Sequence, residues 1–154
     1  QVNSRYVNLK FVTNDEFIFF SNYNSPKALS FNSHRQIAAL LYWPSINTQI
    51  RMKARLKKTT QEFNQEYFFD RSEEKNALAI SSNQSDTIVS YEQIKKNYNE
   101  ALKNADLKKC PDSWGGFSFT PYYFEFWEGH NLRINKREAF VKNNDIWSHD
   151  ILQP

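Results

Sequence analysis

The chain has 154 residues, a net charge of +3 and an aromatic content of 16%. Its length fits one domain with its own core, and we predict a single domain over residues 1–154. One cysteine excludes an internal disulfide and, with only three histidines, disfavours a structural zinc site, while no apolar run approaches the ~20 residues of a membrane helix. We therefore expect a cytoplasmic protein that has no membrane partner and binds no metal.

The first part of the chain is predicted to be mostly β. Ser25 followed by Pro26 is typical of a helix start, so 25–34 is predicted as a short helix. Residues 36–43 form an apolar run that predicts a buried strand, whereas apolar and charged residues alternate over 48–58 and predict a half-exposed strand. The predicted strands of this part are 4–12, 16–22, 36–43 and 48–58.

Helices come next, and strands close the chain. Helices are predicted over 59–71, 72–82 and 90–105, of which the last has the clearest apolar stripe. The closing strands are predicted over 115–127, 131–141 and 145–151. Strands outnumber helices and are mostly joined by short turns. The order therefore favours an antiparallel barrel or sheet with helices packed outside it.

Cations at the ends of predicted elements are the main candidates for chemistry, because no nucleophile elbow, P-loop or GxGxxG motif is present. Lys27 falls in the first turn of a predicted helix, where free N–H groups favour phosphate. Arg71 follows Tyr67 by four residues, so both side chains can face one ligand. Arg133 and Arg137 are predicted to share one face of the last hairpin. Separate clusters of this kind indicate two phosphate groups.

Two other interpretations of these cations stay open. Most lysines and arginines are simply exposed, so each of them alone could be a solvated surface charge. Basic strands with aromatic residues can also bind single-stranded nucleic acid. Because the cations here are paired at strand ends rather than spread along one groove, we predict no nucleic-acid partner.

Several segments, in order, resemble one enzyme family. Residues 111–137, "PDSWGGFSFTPYYFEFWEGHNLRINKR", resemble the C-terminal signature of the pyridoxamine 5′-phosphate oxidases, which reads W-G-G-[FY], then E-F-W, then R-[LI]-H-[DE]-R. Upstream, "SRYVNLK" resembles the family's QR-x-V-L-L-K, and "FFSNYNSPKA" resembles F-Y-T-N-x-x-S-R-K-A. "LYWPSINTQIRM" and "YFFDRSEEKNALAISSNQS" resemble two further family segments. The resemblance covers practically the whole chain.

The resemblance implies an α+β fold that is mainly β with flanking helices: an antiparallel, FMN-binding split β-barrel, found as a homodimer with FMN at the subunit interface. The family's first barrel strand would lie before Gln1. Carried over by position, the residues implied to contact FMN are Arg5, Lys10, Ser21, Lys27, Gln49, Gln84, Ser85, Trp127 and Arg137. Trp127 and Arg137 would come from the other subunit.

The same resemblance implies the substrate site and the reaction. Lys10, Tyr67 and Arg71 match the residues that hold the substrate phosphate, and Lys75 stands where the family has a serine that helps them. Arg133 matches the arginine over the substrate ring. The implied activity is FMN-dependent oxidation of pyridoxamine or pyridoxine 5′-phosphate to pyridoxal 5′-phosphate, with O₂ as the electron acceptor.

Four departures from the family pattern keep an alternative open. Asn135 replaces a substrate-site histidine, and Pro26 replaces an arginine that contacts the flavin phosphate. Lys75 replaces the serine, and Ile151 replaces an arginine of the terminal R-L-x-P. The chain could therefore be a divergent relative that binds FMN or a phosphorylated ligand without this oxidase activity.

Overall fold

A computed structural model describes residues 3–154. Within this range the chain forms seven strands and four α-helices, which confirms the predicted class of a mainly β fold with flanking helices. The strands are β1 (Leu9–Thr13), β2 (Glu16–Asn22), β3 (Gln36–Trp43), β4 (Thr48–Lys58), β5 (Trp114–Glu128), β6 (Lys136–Asn143) and β7 (Ile146–Ile151). The helices are α1 (Pro26–Ser33), α2 (Gln61–Asp70), α3 (Glu73–Ser81) and α4 (Tyr91–Asn104), and a 3₁₀ turn spans Pro44–Ile46.

The strands join in the order β1-β2-β5-β4-β3, and β6 pairs with both β5 and β7. The pairs β3–β4, β5–β6 and β6–β7 are antiparallel. In the β5–β6 pair, Trp127 lies opposite Arg137 and Glu125 lies opposite Ala139. This register brings residues of the two strands that carry the sequence signature next to each other.

Contacts divide the chain into two compact units. The first unit takes in the described part of 1–12, together with Phe17–His34 and Lys57–Ser118. The second takes in Thr13–Glu16, Arg35–Leu56 and Phe119–Pro154. Each has a buried apolar core: Ile18, Phe19, Ala28, Phe68, Ala77, Trp114 and Phe117 in the first, and Met52, Ala54, Leu56, Phe119 and Ala139 in the second.

Local sequence explains where the helices start. Pro26 occupies the first turn of α1, as the Ser25-Pro26 pair predicts. Thr60 caps α2 by accepting a hydrogen bond from the Phe63 N–H at 3.2 Å, and Ser90 caps α4 through the Gln93 N–H at 3.1 Å. No helix within residues 3–154 is both long and apolar enough to cross a membrane.

Three sequence predictions are wrong in detail. Residues 4–8 have irregular, exposed backbone, so the first strand starts only at Leu9. The strand β3 is not buried, with Leu40 66% and Trp43 54% exposed, because it lies at the end of the strand order. The strand predicted over 131–141 begins only at Lys136, because the chain turns through residues 131–133 and pairing with β5 starts at Lys136.

Candidate functional site

A cavity of about 560 Å³ lies in the first unit. That volume is in the range of small-molecule sites, roughly 300–1,000 Å³. Seven of the residues predicted from sequence line it, namely Lys10, Ser21, Lys27, Tyr67, Arg71, Lys75 and Gln84. The other lining residues are Tyr6, Val7, Asn8, Phe20, Asp70, Ser72 and Trp114. Positions far apart in sequence therefore share one cavity.

The cavity wall is strongly cationic. Lys10, Lys27, Arg71 and Lys75 carry positive charge, and Asp70 is the one acidic residue among the described lining residues. Such an excess of cations favours an anionic ligand, because the low-dielectric walls of a cleft concentrate the field inside it. Lys75, which stands where the family pattern has a neutral serine, adds to this excess.

Arg71 is placed by the end of α2. It is the C-cap residue of that helix, and its backbone N–H donates to the Phe68 carbonyl at 3.3 Å. The side chain donates from Nη2 to the Lys75 carbonyl at 3.3 Å, whereas Nη1 is buried and has no hydrogen-bond partner within residues 3–154. Burial lowers the pKa of Arg71, although a guanidinium keeps its charge at any physiological pH.

Aromatic rings form the surface beneath Arg71. The guanidinium carbon lies 4.4 Å from the centre of the Trp114 ring. Trp114 is nearly parallel to Phe20, with ring centroids 4.9 Å apart, and Phe20 stacks in turn on Tyr67 at 4.0 Å. This contact between Arg71 and Trp114 could not be read from the sequence, where the two residues are 43 positions apart.

Two glycines allow this surface to pack closely. A Cβ on Gly115 would overlap the Tyr23 hydroxyl and the Asn64 amide, and one on Gly116 would overlap Thr59 and approach Phe20. The start of β5 can therefore approach Tyr23 and α2 only without side chains at these positions. Packing thus explains the sequence Trp114-Gly115-Gly116.

Lys27 is a second cation of the cavity whose side chain is held in place by its neighbours. Its buried ammonium donates to Ser21 Oγ at 2.7 Å, Ser25 Oγ at 3.1 Å and Gln84 Oε1 at 2.6 Å. All three acceptors are neutral, so the hydrogen bonds are made without neutralising the charge. Burial lowers the pKa of Lys27 to about 8, and repulsion from Arg5 contributes to the shift.

The remaining predicted residues of the first unit lie in irregular segments. Arg5 is exposed, and its charge reaches Lys27. Ser85 follows Gln84 in the loop after α3 and has a φ of 75°, in the left-handed region. Neither belongs to the lining of the cavity.

Gln49, Trp127, Arg133, Asn135 and Arg137 belong to the second unit. Arg133 was predicted to share a strand face with Arg137, and this is wrong. It lies in the turn before β6 with a φ of 64°, and its N–H donates to the His130 carbonyl at 2.9 Å. In the same turn Asn135 Oδ1 accepts a hydrogen bond from the His130 N–H at 3.0 Å.

Arg137 is bound by Glu125. Its Nε and Nη2 donate to Glu125 Oε1 at 3.0 and 2.8 Å, and its Nη1 donates to the Gln153 carbonyl at 2.9 Å. Arg51 and the Tyr123 hydroxyl donate to the other oxygen, Oε2. Burial raises the pKa of Glu125, but the hydrogen bonds from Arg137, Tyr123 and Arg51 together lower the pKa by more, so the net shift is downward.

Sequence reasoning missed this arrangement around Glu125. A signal was present, because Glu125 is the one charged residue in the run Trp114–Trp127. A carboxylate inside so apolar a strand needs a cationic partner. The strand that follows supplies Arg137.

Comparison with known proteins places the chain in a family. Residues 114–154 match the family model described as pyridoxine 5′-phosphate oxidase C-terminal dimerisation region. The chain is 34% identical over 158 residues to pyridoxine/pyridoxamine 5′-phosphate oxidase 1 of Hydrogenovibrio crunogenus, covering 100% of this chain and 73% of that protein. It is 36% identical over 153 residues to the pyridoxine/pyridoxamine 5′-phosphate oxidase of Coxiella burnetii, covering 99% and 78%.

Solved structures confirm the fold. PhzG from Burkholderia lata 383, solved in complex with tetrahydrophenazine-1-carboxylic acid, matches with a TM-score of 0.92 at 24% identity, covering 100% of this chain and 76% of that one. A pyridoxamine 5′-phosphate oxidase-related, FMN-binding protein from Nostoc punctiforme matches with a TM-score of 0.78 at 14% identity, covering 97% and 80%. The predicted split-barrel fold is thereby confirmed, and the identities to the two oxidases show that the chain belongs to the pyridoxine/pyridoxamine 5′-phosphate oxidase family.

Proposed function

We propose that this protein oxidises pyridoxamine or pyridoxine 5′-phosphate to pyridoxal 5′-phosphate with FMN as cofactor and O₂ as acceptor. The observation that carries the proposal is the cationic cavity of the first unit, in which the Arg71 Nη1 donor is buried without a partner among residues 3–154. A buried donor in that state costs free energy unless a ligand accepts its hydrogen bond. A phosphate group is a suitable acceptor for it.

The substrate phosphate would be held by Lys10, Tyr67, Arg71 and Lys75. These residues line one cavity, and three of them are cationic. Arg71 would act by hydrogen bonding in a fork, while the two lysines would contribute charge. Lys75 in place of serine would then strengthen phosphate binding rather than abolish it.

The Lys27 cluster fits the FMN phosphate. A buried ammonium surrounded by hydroxyl and amide groups keeps its charge available to an anion, and a phosphate oxygen could replace one of its neutral acceptors. The residues that would contact the flavin in this proposal are Arg5, Lys10, Ser21, Lys27, Gln49, Gln84, Ser85, Trp127 and Arg137. Bound FMN would supply the two-electron acceptor that the oxidation needs.

Arg133 and Asn135 would act at the substrate ring. An arginine there can stabilise developing negative charge and keep the ring in a reactive orientation. The left-handed φ of 64° at Arg133 fixes where its side chain leaves the turn. Asn135 can donate or accept a hydrogen bond but cannot take up a proton at neutral pH, unlike the histidine of the family pattern.

The working unit would be a homodimer. The matching family model is a dimerisation region, and the exposed apolar side chains of β3 include Leu40, Tyr42 and Trp43. Exposed apolar surface of this kind marks interaction sites. We expect an interface above the ~1,600 Å² of standard complexes. A monomer that retains FMN in light scattering would contradict this part of the proposal.

One observation favours a second function, that of a relative that binds FMN or a phosphorylated ligand without the oxidase activity. Asn135 Oδ1 is already occupied by the His130 N–H, so the residue in the histidine position holds the turn. Such a protein would keep the cationic cavity and still lack turnover.

Aerobic turnover of pyridoxamine 5′-phosphate tests the proposal. The FMN-loaded protein should form pyridoxal 5′-phosphate, detected by its absorbance, with one peroxide released for each product. The Arg71→Ala variant, loaded with FMN, is the control, because it should need far more substrate for the same rate. FMN binding without product or peroxide would overturn the oxidase and leave the second function.

A further inference from the structure

We propose that Trp114 is the positioning residue that gives the cavity its preference for phosphorylated ligands, by holding the Arg71 guanidinium without neutralising it. The inference rests on the proposed function, because it takes Arg71 as the contact to the substrate phosphate. Its basis is the 4.4 Å separation between the guanidinium carbon and the centre of the Trp114 ring.

Arg71 is held mainly by rings and hardly by hydrogen bonds. Its side chain has one hydrogen bond, from Nη2 to the Lys75 carbonyl, and no ion pair is found for it within residues 3–154. Two rings lie near the guanidinium, Trp114 at 4.4 Å and Phe68 at 5.5 Å. Trp114 therefore provides the closer of the two ring contacts, and tryptophan is the side chain whose face attracts cations best.

An aromatic support differs from a carboxylate in what it leaves for the ligand. A carboxylate would fix Arg71 equally well, but its negative charge would cancel much of the attraction for phosphate. A ring face attracts the cation through its quadrupole and leaves the full positive charge in place. The guanidinium is thus fixed in direction and still able to bind a dianion.

The support is itself rigid. Trp114 is only 7% exposed, and it stacks nearly parallel to Phe20, which stacks on Tyr67. Its backbone N–H donates to the Pro111 carbonyl at 3.0 Å, and the ring of Phe68 meets it edge-on. A side chain held on so many sides keeps Arg71 in one place before the ligand arrives, which reduces the ordering cost of binding.

The experiment compares ligands that differ only in the phosphate. Pyridoxal 5′-phosphate and pyridoxal are titrated into the FMN-loaded wild-type protein and into the Trp114→Leu and Trp114→Phe variants. We expect Trp114→Leu to weaken pyridoxal 5′-phosphate binding about ten-fold, as loss of a desolvated cation–π contact predicts, and to leave pyridoxal binding unchanged. Trp114→Phe should keep most of the affinity that Trp114→Leu loses. If Trp114→Leu fails to fold, the smaller loss of pyridoxal 5′-phosphate affinity in Trp114→Phe, with pyridoxal binding unchanged, carries the test.

Kinetics separate positioning from general damage. In Trp114→Leu, KM for pyridoxamine 5′-phosphate should rise while kcat holds. Phe117→Leu is the matched control: Phe117 is a buried ring of the same unit that does not line the cavity, so its loss should lower stability without changing the preference for phosphate.

The outcomes distinguish a failure of this inference from a failure of the proposed function on which it rests. If Arg71→Ala leaves the preference for pyridoxal 5′-phosphate intact, Arg71 is not the phosphate contact, and the proposed substrate site fails together with the inference. If Arg71→Ala removes the preference and both Trp114 variants keep it at the wild-type level, the inference alone is overturned. Equal weakening of both ligands by Trp114→Leu would also overturn it, because that result indicates a purely structural role.

Discussion

Arg137 donates from both Nε and Nη2 to a single oxygen of Glu125, at 3.0 and 2.8 Å. Glu125 is only 4% exposed and also accepts from Arg51 and Tyr123, so its charge is shared between two guanidinium groups. Arg71 is the opposite case, since no carboxylate pairs with it within residues 3–154. Arg137 is thus held in a fixed geometry with its charge compensated by Glu125, whereas the charge of Arg71 is left uncompensated for an anion.

We predict that Glu125→Gln destabilises the protein. The change leaves Arg51 and Arg137 close together without the carboxylate that compensates their charges. Because both guanidinium groups are partly exposed to water, we expect a cost of about 1–3 kcal/mol, less than for a fully buried pair. Because the pKa of Glu125 is lowered in the fold, the ionised carboxylate adds to the free energy of unfolding at pH values above the ordinary carboxyl pKa. This stabilisation is lost as pH falls through the lowered pKa.

Urea unfolding at neutral and acidic pH measures the effect. The wild-type protein should lose stability on acidification more steeply than Glu125→Gln. Glu128→Gln is the matched control, because Glu128 is an exposed residue of the same strand. A variant with unchanged stability at pH 7 would show that water compensates the arginines instead.

For Arg71→Ala we predict a rise in KM for pyridoxamine 5′-phosphate of roughly ten-fold or more, with little change in kcat. The phosphate is remote from the reacting carbon, so its contacts are equally strong in the ground and transition states. Steady-state kinetics on FMN-saturated protein measure both constants. A large fall in kcat at saturating substrate would place Arg71 at the reacting centre.

Arg133→Ala should have the opposite signature. An interaction that strengthens as negative charge develops is lost, so kcat should fall. If Arg133 resembles an oxyanion donor, the activation barrier should rise by about 2–4 kcal/mol. Asn135→His should raise turnover, because it returns a group that can exchange protons near neutral pH. Rates of peroxide release under saturating substrate give both results. If neither change alters the rate, the oxidase proposal fails.

Much of this fold follows from local sequence. The Ser25-Pro26 pair places the start of α1, and the alternation along β4 matches its burial pattern. The spacing of Tyr67 and Arg71 correctly puts both on one cavity, because a four-residue separation on a helix fixes the shared face. Local signals of this kind were therefore reliable for the start of α1 and for the alternating faces of β4.

Features that depend on distant residues were not accessible. The exposure of Leu40 follows from the place of β3 in the strand order, which no local pattern encodes. Arg133 was placed on one strand face with Arg137 because of their four-residue spacing, whereas the turn gives Arg133 a left-handed backbone that non-glycine residues rarely adopt. The contact of Arg71 with Trp114 joins two residues that are 43 positions apart in the sequence.

Pro26→Arg should tighten FMN binding roughly ten-fold or more, because it restores one charge-assisted contact to phosphate, worth about 1.5–3 kcal/mol. Pro26 is exposed at the start of α1, so an arginine fits there without disturbing the core. Flavin fluorescence titration measures the affinity, and Ser30→Arg, an exposed change further along the same helix, controls for charge alone. If Pro26→Arg binds FMN no better than the wild-type protein, another residue already fills the role of the missing arginine. If both variants tighten binding equally, the position of the added charge is unimportant.

The affinity for FMN should depend on pH through Lys27. The pKa of Lys27 in the free protein is lowered to about 8 by burial and then by Arg5, so the amine loses its charge as pH rises above that value. A bound phosphate dianion raises the pKa of Lys27 again, and binding near pH 8 therefore takes up a proton.

The FMN phosphate itself, with a second pKa near 6, is already fully ionised in this range. Affinity should fall about two-fold from pH 7 to 8 and then more steeply, at most ten-fold per pH unit, up to pH 9. Titration calorimetry in two buffers of different ionisation enthalpy should show the proton uptake. The Lys27→Arg variant keeps its charge throughout and should show a flat profile. An equally steep fall in that variant would assign the titration to another group.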